Sequence, residues 1–98
     1  MPGALDQAVT NKQKRQALEE RGQKLGLRHD PMRGGDQEAF SDFIDRVEKN
    51  DALMSVLGCA KEKGVSVYVS DGNAVSDGWV RINRNSSDDE IIKFLLGE

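Results

Sequence analysis

The chain has 98 residues, 37% of them apolar and 32% charged, with a formal net charge of −3, which suffices for one small domain. No apolar run approaches the roughly 18 residues that a membrane span needs, and the start MPGALDQAVTNKQKRQ lacks the apolar stretch of a secretory signal. A single cysteine excludes an internal disulfide and a multi-cysteine zinc site. From the cysteine count we expect a cytoplasmic protein, and from the missing apolar run we expect no membrane contact.

The charge is divided unevenly along the chain. Residues 1–35 hold seven Lys and Arg against four Asp and Glu, whereas residues 36–98 hold seven against thirteen. This asymmetry predicts either two surfaces with different partners or a basic arm that lies on its own acidic body.

The first predicted element is a helix from Ala4 to about Leu25, rich in good helix formers but poor in large apolar residues. Its basic residues could follow a phosphate backbone, which makes nucleic-acid binding an alternative function. Against this alternative, Glu19 and Glu20 interrupt the basic patch and no aromatic residue is available for stacking. The basic residues of the arm are Lys12, Lys14, Arg15, Arg21 and Lys24. Gly26 ends the helix, and the segment LRHDPMRGGD predicts a linker.

Two amphipathic helices follow the linker. Asp36 is positioned to cap the first, in which apolar residues recur at helical spacing as far as Val47. Asn50 or Asp51 begins the second helix, and Gly64 ends it. The short corner between them predicts an αα-hairpin.

After the second of these helices the apolar period changes from 3.6 to 2, which predicts two short strands. In VSVYVS the valines oppose Tyr68, and in WVRIN Val80 and Ile82 oppose Trp79 and Arg81. Tyr68 and Trp79 should therefore share one face as a cross-strand aromatic pair. We predict that Tyr68, Trp79 and Arg81 bind a partner protein if that face is exposed. The edge of the two-stranded sheet could also join a homodimer.

The segment SDGNAVSDG between the strands has Ser-Asp-Gly at both ends. An EF-hand calcium loop needs oxygen ligands at alternate positions and a bidentate Glu at the twelfth. Counting from Asp71, the twelfth residue is Ile82, and Ala74 and Val75 occupy the middle. We therefore predict a turn that joins the two strands as a β-hairpin.

Three isolated candidates for chemistry have simpler explanations. His29 beside Asp30 could be half of an acid–base device, but no Ser or Cys is near in sequence, which favours an exposed linker histidine. Cys59 is predicted to be a structural residue near the apolar face of its helix. Asp42 and Asp45 are predicted to be solvated rather than paired for catalysis.

The last predicted element is a C-terminal helix capped by Ser87 and Glu90. WVRINRNSSDDEIIKFLLGE, about a fifth of the chain, resembles the segment that precedes the zinc motif of small gluzincin-type metallopeptidases, where a strand and turn lead into an acidic-capped helix reading roughly Leu-Leu-His-Glu. The resemblance places Gly97 at the position of the first zinc histidine and Glu98 at that of the general-base glutamate. Because the second histidine and the third ligand are missing, it implies either a degenerate, non-catalytic relative or chance convergence on strand, turn and helix.

Taken together, the patterns predict an α+β fold with a helical N-terminal arm, an αα-hairpin, a two-stranded β-hairpin and a C-terminal helix. Residues 1–35 are predicted to form the arm and linker, and residues 36–98 the domain. No catalytic constellation, metal site or cofactor site is expected. The leading hypothesis is a small non-enzymatic protein-interaction module, a regulator or inhibitor of another protein. Nucleic-acid binding and a metallopeptidase-like relic are the alternatives.

Overall fold

The computed structural model describes residues 3–97, which form four helices and a four-stranded sheet in a mixed α/β arrangement. The helices are α1 Ala4–Lys24, α2 Gln37–Glu48, α3 Asp51–Glu62 and α4 Asp88–Leu96. The strands are β1 Leu27–His29, β2 Ser66–Ser70, β3 Ala74–Ser76 and β4 Trp79–Asn83. Within residues 3–97, every helix is too short or too polar to cross a membrane.

Local capping fixes the starts of three helices as the sequence predicted. The side chains of Asp36, Asn50 and Ser87 each accept a hydrogen bond from the backbone amide three residues later, at 2.9, 3.1 and 3.2 Å. These bonds satisfy amides that have no partner inside the helix. At the other end of α4, Gly97 adopts the left-handed conformation with φ 75°, which glycine tolerates without a steric cost.

The predicted antiparallel hairpin of β2 and β4 is wrong, because these strands are neighbours that run parallel. The strand order is β1-β2-β4-β3, with β1 and β4 both parallel to β2, and β3 antiparallel to β4. The sheet therefore has four strands rather than the predicted two.

The segment SDGNAVSDG explains this difference in strand direction. Its middle, Ala74–Ser76, is strand β3, which lies on the outer side of β4 and pairs with it. Only Asp77-Gly78 forms the tight turn, with Gly78 at φ 82°, and the residues on either side of this turn face each other in the β3–β4 ladder. Since the chain reverses twice, once on each side of β3, β4 returns parallel to β2. The prediction that the whole segment is one turn is thus wrong, because the chain turns at residues 71–73 and again at 77–78, with strand β3 between the two turns.

The segment predicted as a linker contains strand β1, which pairs along β2. Leu27 is 1% exposed and belongs to the core. At Gly34, an added Cβ would lie 2.6 Å from the carbonyl oxygens of Asp30 and Val69, so the chain passes too close to the sheet for any side chain there. Residues 27–35 therefore pack with the body rather than spanning a gap before it.

The core lies between one face of the sheet and the helices α2, α3 and α4. The strands contribute buried residues that alternate along each strand: Leu27, Val67, Val69 and Ile82. The helices contribute the residues of their apolar stripes: Phe40, Phe43, Ile44, Val47, Leu53, Leu57 and Ile91.

Helix α1 forms the predicted helical arm and packs on the body only near its end. Leu5 is 83% exposed, whereas Gly22 is buried so closely against Phe40 that an added Cβ would lie 2.8 Å from the ring. The whole molecule measures 52 × 25 × 24 Å, and its length reflects this projecting helix.

Candidate functional site

The face of the sheet opposite the core is not covered by α2, α3 or α4. Because side chains alternate along a strand, this face receives the residues that lie between the core positions. We call the surface formed by Arg28, Tyr68, Trp79 and Arg81 the open face. Arg28 is exposed and the other three are half-buried.

Tyr68 and Trp79 form the aromatic pair that the sequence predicted, although across parallel strands. Their ring centroids are 6.1 Å apart and their planes meet at 86°, an edge-to-face contact. Tyr68 is directly opposite Arg81 in the β2–β4 register. The Arg81 guanidinium carbon lies 4.9 Å from the Trp79 ring centroid, in cation–π contact. The three predicted partner-binding residues are thus in one cluster.

A buried carboxylate fixes the position of Arg81. Asp30 is 4% exposed, and its Oδ2 lies 3.3 Å from Arg81 Nε and accepts a hydrogen bond from Ser70 Oγ at 3.0 Å. Its Oδ1 accepts hydrogen bonds from the backbone amides of Met32 and Arg33 at 2.9 and 3.2 Å. The guanidinium therefore cannot leave the Trp79 ring without abandoning a buried negative charge.

The environment of Asp30 keeps this carboxylate ionised. Burial acts to raise its pKa, but the hydrogen bonds from Met32, Ser70 and Arg33 and the positive charge of Arg81 outweigh burial and lower the pKa below its ordinary value. The site thus holds a permanent ion pair, rather than a proton donor, at neutral pH.

Two cavities meet at the open face. The first, about 280 Å³, lies over the aromatic cluster and is lined by Asp30, Pro31, Met32, Tyr68, Trp79 and Arg81. The second, about 500 Å³, runs between α1 and β1, with Arg15 and Glu19 on one side and Arg28 on the other. Pro31 and Tyr68 line both cavities. Together they form one depression, which we call the groove.

The predicted basic residues of the arm do not form one patch. Lys12, Lys14, Arg15 and Lys24 are exposed. Arg21 instead turns toward α2, where its guanidinium lies 3.0 Å from Asp45 and 2.7 Å from Glu48. Hydrogen bonds to Glu48 and Asp45 raise the pKa of Arg21. Arg21 therefore attaches the arm to the acidic body and is not available as a free cation.

The structure places the isolated candidates in different surroundings from those predicted. His29 is a half-buried residue of β1, not an exposed linker residue, and its ring lies 5.1 Å from that of Phe40. Its Nε2 donates to the Gly35 carbonyl at 2.9 Å, because a carbonyl oxygen can only accept. Cys59, predicted to be structural, is exposed.

The carboxylates on α2 are exposed to solvent, and the one at the start of α4 accepts hydrogen bonds from other elements. Asp42 and Asp45 are exposed, as predicted. Asp88 is bound by Arg46 Nε at 2.6 Å and by Asn50 Nδ2 at 3.0 Å, and these contacts attach the start of α4 to the helices that precede it in the chain.

No protein-family model, curated protein or solved structure matches this chain. Within residues 3–97, no group of three or more His, Cys, Asp or Glu side chains is arranged to hold a metal ion. Gly97 is the last described residue, and Glu98, the predicted counterpart of the general-base glutamate, lies outside the described residues. The peptidase resemblance remains a prediction.

Sequence reasoning missed Asp30 and Arg28 as parts of the site. For Asp30 the available signal is that Asp followed by Pro is typical of a turn in which the carboxylate accepts hydrogen bonds from nearby backbone amides. Arg28 lies between two inward-pointing residues of a strand only three residues long, and so short an alternation is too weak to identify a strand.

Proposed function

We propose that this chain is a small, non-enzymatic protein-interaction module that binds a partner protein through the open face and regulates that partner by occupying its surface. The single observation that carries the proposal is the Tyr68–Trp79–Arg81 cluster on an uncovered sheet face.

The sheet topology supports a partner at this face. Strands β1, β2 and β4 run parallel to one another as neighbours, and only the edge strand β3 is antiparallel. Sheets made of parallel strands alone occur almost only with both faces covered, which favours a cover for the parallel part of this sheet. Here the second side holds two large aromatic rings, is not covered by α2, α3 or α4, and is bordered by α1 only beyond the cavity next to β1. A partner surface would supply the missing layer and would remove the exposed apolar area from water.

The composition and rigidity of the cluster also favour binding of a protein. Trp, Tyr and Arg are the residues most enriched among those that dominate binding energy at protein interfaces. Asp30 holds Arg81, Arg81 covers Trp79, and Trp79 contacts Tyr68. Because the side chains are already ordered, binding loses little conformational entropy.

Nucleic-acid binding has weaker support from the same geometry. Base stacking needs an open aromatic face, but Arg81 lies over the Trp79 ring and Tyr68 meets Trp79 edge to face. On the arm, Arg21 is held by two carboxylates, which leaves fewer cations for phosphates than the sequence indicated.

An affinity-capture experiment tests the proposal. The full chain and a Tyr68→Ala/Trp79→Ala variant would be immobilised in equal amounts, and captured proteins would be identified and then remeasured with purified components. We expect the variant to lose the partner that the wild type retains. Val75→Ala is the matched control, because Val75 is an exposed β-strand residue outside the open face, with 73% of its surface accessible.

Circular dichroism of the double variant shows whether a loss of binding comes from unfolding. We expect the helices to remain intact, because Tyr68 and Trp79 are only half-buried. If the folded double variant captured the same proteins as the wild type and the Val75→Ala control, the open face would not be the binding surface.

A further inference from the structure

The groove extends the open face past the aromatic cluster. From Trp79 it continues over Pro31 and Tyr68 to the space between α1 and β1. A third cavity of about 200 Å³ shares Arg28 with this space and ends at Lys61 and Ser66. The three cavities are therefore neighbours along one side of the body.

The shape of the groove fits an extended chain. An extended peptide advances about 3.3 Å per residue, and the molecule is 24–25 Å across its two shorter dimensions. A segment of about eight residues would cross it. The aromatic end offers Trp79 and the exposed Met32 side chain to apolar residues, and the remainder offers polar and charged contacts.

The charge of the groove selects the chemistry of that segment. Arg15 and Arg28 line its walls, and neither forms an ion pair within residues 3–97. Lys61, in the neighbouring third cavity, also has no ion pair within these residues and donates to the Lys24 carbonyl at 3.4 Å. Glu19 is the opposing acidic residue on the same wall as Arg15. Asp30 is already neutralised by Arg81. The unpaired charges facing the groove are thus mainly positive, although the chain as a whole carries −3.

We propose that the groove accepts an extended acidic segment of the partner protein, with an apolar residue of that segment on Trp79 and its carboxylates against Arg28 and Arg15. This inference rests on the proposed function and adds the identity of the bound element. A single-stranded nucleic acid would also supply negative charge. It would gain little stacking at the cluster, because a base needs a whole ring face and Arg81 and Tyr68 already contact Trp79. An apolar side chain needs only the part of the ring that these contacts leave accessible.

A random library of 12-residue displayed peptides, selected against the full-length protein, tests this inference directly. We expect the enriched peptides to carry an excess of Asp and Glu around at least one apolar residue. A fluorescein-labelled copy of the most enriched peptide would then be titrated with purified variants by anisotropy. Arg15→Gln/Arg28→Gln should weaken binding about tenfold, because each exposed ion pair contributes two- to fivefold, and the effect should shrink with added salt.

Two further variants separate this inference from the proposed function. Lys49→Gln/Lys93→Gln removes the same amount of charge from exposed lysines outside the groove and should leave the affinity within about twofold of wild type. Trp79→Ala should weaken every selected peptide. If Trp79→Ala abolished capture of the partner protein while the selected peptides showed no acidic excess, or no peptide was selected at all, the proposed function would stand and the acidic-segment inference would fail.

Two other occupants would each overturn the inference. The first is a labelled mixed-sequence single-stranded DNA 12-mer that binds more tightly than the acidic peptides at 150 mM salt and depends on Arg15 and Arg28. The second is another copy of this chain, which would be detected as a dimer in light scattering that the Arg15→Gln/Arg28→Gln variant converts to monomer.

Discussion

Replacing Asp30 with alanine should destabilise the protein strongly, because Asp30 joins β1, β2 and β4 through one buried carboxylate. The change removes the acceptor of three hydrogen bonds, from Ser70 Oγ and the amides of Met32 and Arg33, and the counter-ion of Arg81. At about 1 kcal/mol for each hydrogen bond and up to about 1 kcal/mol for the half-exposed ion pair, the loss is about 3–4 kcal/mol.

That loss is a large part of the roughly 5–15 kcal/mol by which small domains are stable. Urea unfolding should detect this loss of stability when it is followed by the fluorescence of Trp79, the single tryptophan of the chain, which lies beside the site. With a urea m-value of about 1.5 kcal/mol/M, the midpoint should fall by about 2–2.7 M.

Two comparison variants separate the effect of the buried Asp30 carboxylate from the effect of removing any carboxylate. Asp30→Asn keeps an oxygen for the two backbone amides and replaces the oxygen near Arg81 with a donor, so the loss should be about 1–2 kcal/mol. Asp42→Ala removes an exposed carboxylate and should change stability by less than about 0.5 kcal/mol. A midpoint for Asp30→Ala within about 0.3 M of wild type would refute the structural role assigned to Asp30.

Three other predictions concern the backbone, pH and the arm. Gly34→Ala should destabilise the fold, because its Cβ would lie 2.6 Å from two carbonyl oxygens. Gly58→Ala should instead stabilise the fold by about 1 kcal/mol, because Gly58 lies in a helix and its added Cβ would meet nothing within 4 Å. Thermal unfolding compares the two variants, and equal melting temperatures would contradict the packing at Gly34. Because the pKa of Asp30 is lowered in the folded protein, Asp30 adds stability above the unfolded-state pKa of about 4, and this stability is lost as the pH falls through the folded-state pKa. Asp30→Asn should therefore flatten the decline in urea midpoint between pH 5 and about 3. An unchanged slope would contradict this role. A fragment of residues 26–98 should fold, as judged by circular dichroism, whereas 36–98 lacks β1 and should not, and a folded 36–98 fragment would show that β1 is dispensable.

Elements with strong local signals could be predicted from the sequence. The caps at Asp36, Asn50 and Ser87 are formed by side chains that bond amides three residues away, so their signal is contained in a few adjacent positions. The alternation in VSVYVS and WVRIN likewise fixed which side chains share a face. Tyr68 and Trp79 meet whether the strands run parallel or antiparallel, so the aromatic pair could be predicted although the strand direction could not.

Features that depend on distant contacts could not be predicted in this way. Strand β1 has three residues, and its place in the sheet comes from pairing with β2, which lies almost 40 residues later in the chain. The short β3 is stabilised by its ladder with β4 and carries no apolar alternation of its own. Asp30 meets Ser70 and Arg81 only after both strands are placed. Tertiary pairing, not local propensity, determines these elements.

Photo-crosslinking from the open face tests the central claim most directly. The photoreactive residue p-benzoylphenylalanine would replace Tyr68 in the full chain, and in a control it would replace Leu96, which is 54% exposed on α4. After irradiation in a lysate of the source cells, we expect a discrete protein adduct from position 68 that is absent from position 96 and is lost when Trp79→Ala is added. Identical adducts from both positions, or an adduct at position 68 that nuclease removes, would contradict a protein-binding role for the open face.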